Sequence, residues 1–360
     1  MKGGYLEEES DDGIVLSPPI ASNPYVFLNW WNIDIFCYFS HNFITIPPTG
    51  YTRVAHIHGC LMLGTFITEW KGGSKLCQEF LASEEKVRKT VDRLIAIAVH
   101  HKFDGWLMNI ENDIRVTISN TLFLRLLTEG MRKAVGYSRV IWYDSVTVTG
   151  KLKWQNMLNE QNKAWYELCD GIYLNYNWTD ETLLNSADFG VLNKIFIGID
   201  CFARGCIGGW DCYRSFAKAN LMRMSVALFA PGWICQKFPT ANPIEYGLKF
   251  WKKLVLYTPV RPILELPVST NFCAGFTADL GEMRFRLSSI SLQPHFLGSV
   301  SQPTPTIFRI FNLDVTCTGS KKDRDEYIVT ITYPIHLISL DVCTGDGTDS
   351  CLYHALIEEI

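Results

Sequence analysis

The sequence of 360 residues shows no excess of positive charge, no basic-then-apolar pattern of a signal peptide at its first residues and no membrane-spanning run. Its formal net charge of −4 leaves no electrostatic footprint for nucleic acid or for an anionic membrane surface. The amino terminus, MKGGYLEEESDDG, is acidic, and no stretch reaches the roughly 18 uninterrupted apolar residues that a membrane span requires. We therefore expect a cytosolic protein with neither nucleic acid nor a membrane as partner, and with an oligomeric state that its sequence leaves open.

Cysteine and histidine are present, but not at the spacings that hold metals. None of the 12 cysteines forms a C-x-x-C pair, so neither a zinc knuckle nor a dense disulfide framework is indicated, and mostly buried, reduced thiols are expected. His56 and His58 form an H-x-H pair without a third ligand at a recognisable spacing. No G-x-G-x-x-G or P-loop follows an apolar run. We predict no bound metal and no cofactor.

The first two thirds of the chain alternate between strand-like apolar runs and helical patterns. The clearest helix begins after Ser83, a candidate N-cap followed by Glu84 and Glu85 in the first turn. Strand-then-helix repetition predicts parallel βαβ units, in a closed barrel or in a doubly wound sheet, and the missing nucleotide motifs favour the barrel. Seven strands are predicted instead of eight, and the eighth would precede Gly3; the seven runs are 33–39, 60–66, 105–111, 140–144, 171–177, 195–200 and 225–230.

The pattern of predicted secondary structure changes near Pro259. From there on, short β-type runs such as Tyr327-Ile-Val-Thr-Ile-Thr are broken by turn residues. We predict two domains, a (β/α)8 TIM-type barrel over residues 1–258 whose first strand is missing, and a smaller β-rich, sandwich-like domain over residues 259–360.

Polar residues close several of the predicted strands. In the run 103–111, Asn109 and Glu111 share one face with Leu107, which places an amide and a carboxylate roughly 6 to 7 Å apart by strand rise. Neighbouring runs end in Tyr143, with Asp144 beside it, and in Asp200. Because the carboxyl ends of barrel strands face the active site, these groups predict a catalytic mouth, although strand-end caps bonded to the following loops would give the same pattern.

The same segments resemble family 85 of the glycoside hydrolases, the endo-β-N-acetylglucosaminidases, from about Gly3 to Tyr257. The resemblance is carried by ordered blocks: 38–42, Ile46-Pro-Pro, 64–70, Phe103-Asp-Gly-Trp, Asn109-Ile-Glu111, Trp142-Tyr-Asp-Ser, Leu152-Lys-Trp-Gln, 175–178, Phe202-Ala-Arg-Gly and 227–233. It implies cleavage between the two core GlcNAc residues of an N-linked glycan, with the substrate's own acetamido oxygen as the nucleophile.

Residue roles follow from that resemblance. It implies Glu111 as the proton donor and later the base, Asn109 as the amide that orients and polarises the acetamido group, and Tyr143 as its support. Sugar-binding roles are implied or expected for Trp154, Trp178, Trp233, Glu69, Asp170, Asn175 and Asp200.

Two other functions stay open at this point. A glycan-binding protein without activity would fit the missing strand, because an open barrel exposes two strand edges and reshapes the mouth. A chitinase is the other barrel glycosidase considered, and its usual DxxDxDxE-like signature is absent from the chain.

Overall fold

The computed structural model describes residue 27 and residues 29–57, 59–115, 118–241 and 243–258, together with four short strands later in the chain. Its main body is one curled sheet with helices between the strands. Eight strands form this sheet: β1 (Ile35–Cys37), β2 (Ile44–Thr45), β3 (Leu61–Glu69), β4 (Gly105–Glu111), β5 (Arg139–Tyr143), β6 (Gly171–Leu174), β7 (Ile195–Asp200) and β8 (Ser225–Phe229).

Seven of these strands are parallel and lie in the order β1-β3-β4-β5-β6-β7-β8, while the short β2 pairs antiparallel with β3. All seven predicted strands are therefore present, although the one predicted over 171–177, β6, ends at Leu174 and leaves Asn175 and Trp178 on the loop beyond it. Among the described residues, β1 and β8 have no further parallel strand beside them. The strand expected before Gly3 falls outside the described residues.

Helices connect the strands, as parallel pairing requires. Their bounds are α1 (Thr49–Ile57), α2 (Trp70–Phe80), α3 (Glu84–His101), α4 (Ile118–Ala134), α5 (Lys163–Leu168), α6 (Asp180–Ala187), α7 (Cys212–Leu221), α8 (Trp233–Lys237) and α9 (Pro243–Leu254). Single 3₁₀ turns cover Trp30–Asn32, Leu192–Lys194 and Gly209–Asp211. The predicted cap of α3 is confirmed, because the Lys86 amide donates to Ser83 Oγ at 3.3 Å.

In the described part of the chain, none of these helices has both the length and the apolar character to cross a bilayer.

Side chains on the parallel strands alternate between two hydrophobic layers. On β4, Trp106, Met108 and Ile110 enter the core that lies between sheet and helices, whereas Leu107 enters a second cluster on the opposite face. That second cluster also takes side chains from β1, β3, β5, β6 and β8, and we call its side of the sheet the inner face.

The sheet curls around its inner face. Phe39, two residues after the end of β1, meets Phe229 at the end of β8 with ring centroids 6.0 Å apart, although these two strands lie at opposite ends of the strand order. A flat seven-stranded sheet would separate its outer strands by about 29 Å at the usual spacing of about 4.8 Å. The contact therefore shows a barrel-type curvature and confirms the parallel barrel as the fold class.

Close strand packing explains the glycine that opens β4. A Cβ atom on Gly105 would lie 1.8 Å from the Arg139 carbonyl oxygen, and its φ of 153° is one that side chains rarely adopt. Glycine at this position lets β4 approach β5 and enter the register that carries Asn109 and Glu111 to the far edge of the sheet.

Later in the chain the structure describes four short strands, β9 (Val268–Thr270), β10 (Ala274–Asp279), β11 (Glu282–Leu287) and β12 (Ala355–Ile357). β10 pairs antiparallel with β11, and β9 with β12. Contacts divide the chain into two compact units, the first of which takes in the residues up to Pro259. Most of residues 259–360 lie outside the described part, so the sandwich-like domain and its bounds stay a prediction.

Candidate active site

Polar side chains gather where the parallel strands end. Glu69 closes β3, Glu111 closes β4, Tyr143 closes β5 and Asp200 closes β7, while Asn175 comes directly after β6. Because all of these strands run in one direction, the five residues lie along a single edge of the curled sheet, the edge at which barrel enzymes place their active sites.

Asn109 lies one step below this edge, on the inner face of β4. It pairs in register with Ile67 of β3 and is completely buried, with 0% of its surface exposed. Neither its Oδ1 nor its Nδ2 has a hydrogen-bond partner among the described residues. Because an unpaired buried amide costs about 1 to 3 kcal/mol per polar group, it is a feature that demands an explanation.

Glu111 stands above Asn109 on the same face, at the rim. It is partly exposed, and its register partner on β3 is Glu69. Its charge contributes to the raised pKa values of Tyr143 and Tyr176, which places the carboxylate beside these two phenols. The amide and the acid therefore project from one strand toward one place, as their spacing in the sequence predicted.

Tyr143 forms the wall next to Glu111. Its side chain is 2% exposed and its hydroxyl donates to Asn175 Oδ1 at 2.8 Å. Burial raises the pKa of Tyr143 well above its ordinary value, and the neighbouring Tyr176, Glu111 and Asp144 raise it further. The phenol therefore stays protonated at any physiological pH and acts as a hydrogen-bonding group, not as a base.

A buried carboxylate organises the loop that follows Tyr143. Asp144 accepts hydrogen bonds from the Asn156 amide at 2.7 Å, from the Gln155 amide and from Asn162 Nδ2 at 2.9 Å. Burial raises the pKa of Asp144 to about 6, although these donors partly offset the effect. The loop carries Trp154 and Asn156, so Asp144 sets the position of both relative to the strand ends.

Two of the predicted sugar-binding carboxylates already have side-chain partners. Asp200 is 1% exposed, and its Oδ2 accepts from Arg204 Nε at 2.7 Å. Glu69 is more accessible, and its Oε2 lies 2.9 Å from Nδ1 of the exposed His41. Both residues lie at the predicted edge, but Asp200 is buried under its ion pair whereas Glu69 faces the mouth.

The three predicted tryptophans occupy different environments. Trp154 is 43% exposed on the loop held by Asp144. Trp178 packs against the core that lies between sheet and helices, and its Nε1 donates to the Gly198 carbonyl at 2.7 Å. Trp233 is 7% exposed and sits among aromatic rings, with the centroid of Trp210 at 5.6 Å. Packing occupies the ring of Trp233, which corrects its assignment to the sugar site and leaves Trp154 as the available platform.

Asp170 requires a second correction. It precedes β6 instead of following it, so it lies at the opposite edge of the sheet from Glu111. There its Oδ1 accepts from Arg132 Nη2 at 2.6 Å and its Oδ2 accepts from the Val140 amide at 2.7 Å. Asp170 ties α4 to β5 and does not reach the predicted mouth.

The structure brings to the site several residues that the sequence patterns did not predict there. Tyr173 and Tyr176 extend the phenol wall, with their hydroxyl oxygens 3.3 Å apart. Alternation on β6 puts Tyr173 on the inner face with Tyr143, and this signal was readable from the sequence. Asn156 and His41 belong to loops, and nothing local in the sequence indicates their contacts.

Of the H-x-H pair, the structure describes His56, which contacts a carboxylate. His56 Nε2 lies 2.7 Å from Asp104 Oδ2, while His58 falls outside the described residues. Among the residues that the structure describes, no group of three or more His, Cys, Asp or Glu side chains is placed to hold a metal ion. The expected absence of a metal and of a cofactor stays a prediction.

A curled parallel sheet with helical crossovers and polar strand ends defines a barrel-type enzyme fold. Comparison with solved structures agrees. The glycoside hydrolase domain of Endo-D from Streptococcus pneumoniae R6 superposes with a TM-score of 0.51 at 17% identity, over 70% of this chain and 41% of that one. At such identity the likeness establishes the fold alone.

Sequence comparison establishes the family. Residues 11–280 match the model of glycosyl hydrolase family 85, and the chain belongs to that family. The cytosolic endo-beta-N-acetylglucosaminidase of Gallus gallus is 43% identical over 282 residues, 76% of this chain and 38% of that protein. The Homo sapiens protein of the same name is 41% identical over 285 residues, 77% of this chain and 38% of its own length. The chain thus spans about two fifths of the curated relatives that it matches.

Proposed function

We propose that this chain is an endo-β-N-acetylglucosaminidase that hydrolyses the β-1,4 bond between the two core GlcNAc residues of N-linked glycans and leaves one GlcNAc on the asparagine. The observation that carries the proposal is the pair on β4, an unpaired buried amide, Asn109, below a rim carboxylate, Glu111. Membership of family 85 and the activity for which the relatives are named support it.

The first step cleaves the glycosidic bond. The oxygen of the substrate's 2-acetamido group attacks the anomeric carbon and forms a new C–O bond, while the bond to the leaving GlcNAc breaks. Glu111 in its protonated form gives its proton to the leaving oxygen. The products are an oxazolinium ring on the bound glycan, a released peptide that carries the leaving GlcNAc, and a carboxylate on Glu111.

The second step restores both groups. Ionised Glu111 takes a proton from a water molecule, whose oxygen attacks the anomeric carbon, and the C–O bond of the oxazolinium ring breaks. The acetamido group is regenerated and the carboxyl is protonated again. One carboxylic acid therefore serves as acid and then as base, and an amide takes the place of the second carboxylate of ordinary glycosidases.

Asn109 has the chemistry for the acetamido group. A carboxamide can donate from Nδ2 and accept at Oδ1, which matches the N–H and the carbonyl oxygen of the substrate amide and stabilises the charge that develops on it. The Asn109 amide is closed off from solvent in this structure. Substrate therefore reaches it when the side chains above it, at the level of Glu111, move aside.

Around this pair, Tyr143 and Asn175 form the wall that orients the acetamido group, Trp154 offers an exposed ring to a sugar face, and Glu69 offers a carboxylate to sugar hydroxyls. Asp200 and Trp178 act through packing and bonding of the neighbouring loops. The substrate partner is an N-glycan or a glycoprotein, and because the matched relatives are named cytosolic, we place the activity in the cytosol.

The test is incubation of the purified chain with a high-mannose glycopeptide, followed by mass spectrometry. The expected product is a peptide that keeps a single GlcNAc. Glu111→Gln, which is nearly isosteric, is expected to lower kcat by about 10²- to 10⁴-fold without loss of folding. Glu84→Gln is the matched control, because Glu84 lies on the exposed face of α3 in an ion pair with Arg88 and should leave the rate unchanged.

Other outcomes would overturn the proposal. Calorimetric binding of the glycan with no product after long incubation would identify a glycan-binding protein. Preferred cleavage of free chitin oligomers would identify a chitinase-like activity. Undiminished cleavage by Glu111→Gln would remove Glu111 from its role as the acid.

A further inference from the structure

Asn156 stands out in the loop after β5 because its backbone is held in an uncommon conformation. Its φ is 55°, in the left-handed region, where asparagine is the side chain most readily accommodated after glycine. The Asn156 amide donates to the buried carboxylate of Asp144 at 2.7 Å, which fixes the residue against the end of β5. The side chain of Asn156 is thereby directed at the loop that follows β6.

The hydrogen bonds of that side chain have only one possible direction. The backbone N–H of Asn177 donates to Asn156 Oδ1 at 3.1 Å, and a backbone N–H cannot act as an acceptor. The same Oδ1 lies 2.7 Å from Asn175 Nδ2, so Asn175 must present its amide nitrogen to Asn156. Asn175 Oδ1 then faces Tyr143, and the phenol donates its hydrogen to it at 2.8 Å.

The chain of bonds decides where the only hydroxyl hydrogen of Tyr143 goes. The titratable groups that face Tyr143 are Tyr173, Tyr176, Glu111 and Asp144. If the Asn175 amide turned over, its Nδ2 would face the phenol oxygen, and the hydroxyl hydrogen would turn to the other groups beside it, the Tyr176 hydroxyl and the Glu111 carboxylate. A hydrogen bond of that kind favours the ionised form of Glu111 and removes the proton that the leaving group needs.

We propose that Asn156 is a positioning residue: by fixing the Asn175 amide in one orientation, it directs the Tyr143 hydroxyl hydrogen to Asn175 and away from Glu111. The inference rests on the proposed function, since it names a residue that prepares the acid of that reaction. Asn156 acts through Asn175 and Tyr143, which its hydrogen bonds reach in turn.

Two substitutions distinguish the role of the Asn156 side chain from that of its backbone conformation. Asn156→Gly keeps the left-handed conformation without strain and deletes the acceptor oxygen. Asn156→Asp keeps both the conformational preference and an acceptor for the Asn175 and Asn177 donors. Lys102→Gly is the matched control, because Lys102 has a φ of 59° at the end of α3, on the far side of the strands from the mouth.

Glycopeptide cleavage is the first measurement. Asn156→Gly is expected to lower kcat by about 10- to 100-fold with little change in KM, because a mispositioned catalytic group slows the chemical step more than it weakens binding. The alkaline limb of its kcat–pH profile should move to lower pH, since a more readily ionised Glu111 loses its proton earlier. Asn156→Asp should recover most of kcat, and Lys102→Gly should match the wild type.

A double-mutant cycle with Tyr143→Phe tests whether the effect passes through the phenol. In the Tyr143→Phe background no hydroxyl hydrogen remains to be directed, so adding Asn156→Gly should change kcat no further. Equal losses of kcat from Asn156→Gly in both backgrounds would overturn the proposal. So would a loss confined to KM.

The unfolding free energies of the same four proteins, measured in urea, give a second readout that does not depend on activity. Asn156 and Tyr143 are joined through Asn175, so their effects on stability should couple. A wild type that cleaves no glycopeptide but shows this coupling would overturn the proposed function and leave the positioning chain in place. A wild type that cleaves, without coupling in either readout, would overturn the positioning role alone.

Discussion

Replacement of Asn109 by leucine should make the protein more stable and nearly inactive. Leucine has the same branched skeleton as asparagine but carries no polar atoms. Asn109 is 0% exposed, and both of its amide groups lack partners among the described residues. Evolution retains such a cost where the group is needed by a ligand, so stability and activity should move in opposite directions.

The expected gain follows from two opposing terms. Relief of two unpaired buried groups is worth about 2 to 6 kcal/mol. Seating two methyl groups in the space of an amide costs about 1 to 3 kcal/mol. The difference is a gain of about 2 kcal/mol in the free energy of unfolding, or a rise in Tm of about 4 to 8 °C for a domain of this size. Loss of the amide should lower kcat by about 10²- to 10³-fold.

The assay is urea denaturation followed by far-UV circular dichroism, with glycopeptide cleavage measured on the same samples. Asn162→Leu is the matched control. Asn162 is equally buried at 1%, but it donates to Asp144 and Met157 and accepts from the Asn159 amide, so its loss should destabilise by about 3 kcal/mol.

The stability changes of the two variants show whether the Asn109 amide lacks partners in the free protein or is bonded like an ordinary core asparagine. If Asn109→Leu loses as much stability as Asn162→Leu, the Asn109 amide is already satisfied in the resting protein. The amide is then not reserved for the substrate's acetamido group, whatever happens to the rate.

Further expectations concern pH, the sugar platform and the far edge of the sheet. Burial raises the pKa of Asp144 to about 6 from its ordinary 3.8, so between these pH values the folded state holds a proton that the unfolded state has lost. The unfolding free energy should therefore fall by up to about 3 kcal/mol as pH rises from about 4 to about 6. Asp144→Asn should remove this pH dependence in denaturation curves. Trp154→Ala should raise KM for glycopeptide about tenfold with stability unchanged, whereas Trp178→Phe should cost about 1 kcal/mol of stability and leave KM alone; a KM effect confined to Trp178 would reverse the two assignments. Asp170→Asn should lower thermal stability without altering kcat/KM, and a loss of activity in a fully folded sample would return Asp170 to the site.

The features that could be predicted from the sequence are those that depend on residues close together in the chain. Strand alternation put Asn109 and Glu111 on one face, and the direction of parallel strands put Tyr143 and Asp200 at the same edge, because both properties follow from local backbone geometry. The Ser83 cap is local for the same reason. All seven parallel strands were recognisable from their apolar runs.

The position of Asp170 relative to its strand is also visible in the sequence. Asp170 precedes the run of β6, and a residue ahead of a parallel strand lies at the edge opposite the active site. Strand order within the segment therefore separates Asp170 from Asn175, which follows the same strand. The amide belongs to the mouth, and the carboxylate does not.

The remaining assignments depend on partners far away in the chain. Nothing within a few residues of Trp154 or Trp233 indicates that Trp233 is covered by Trp210 while Trp154 is left exposed, because burial is decided by which distant helices pack over a ring. Likewise Asn156 and Asn175 are 19 residues apart, and only the approach of two loops gives their bond a direction. The sequence by itself determined the fold class and the acid–amide pair; tertiary packing decided which side chains surround that pair and how their hydrogen bonds run.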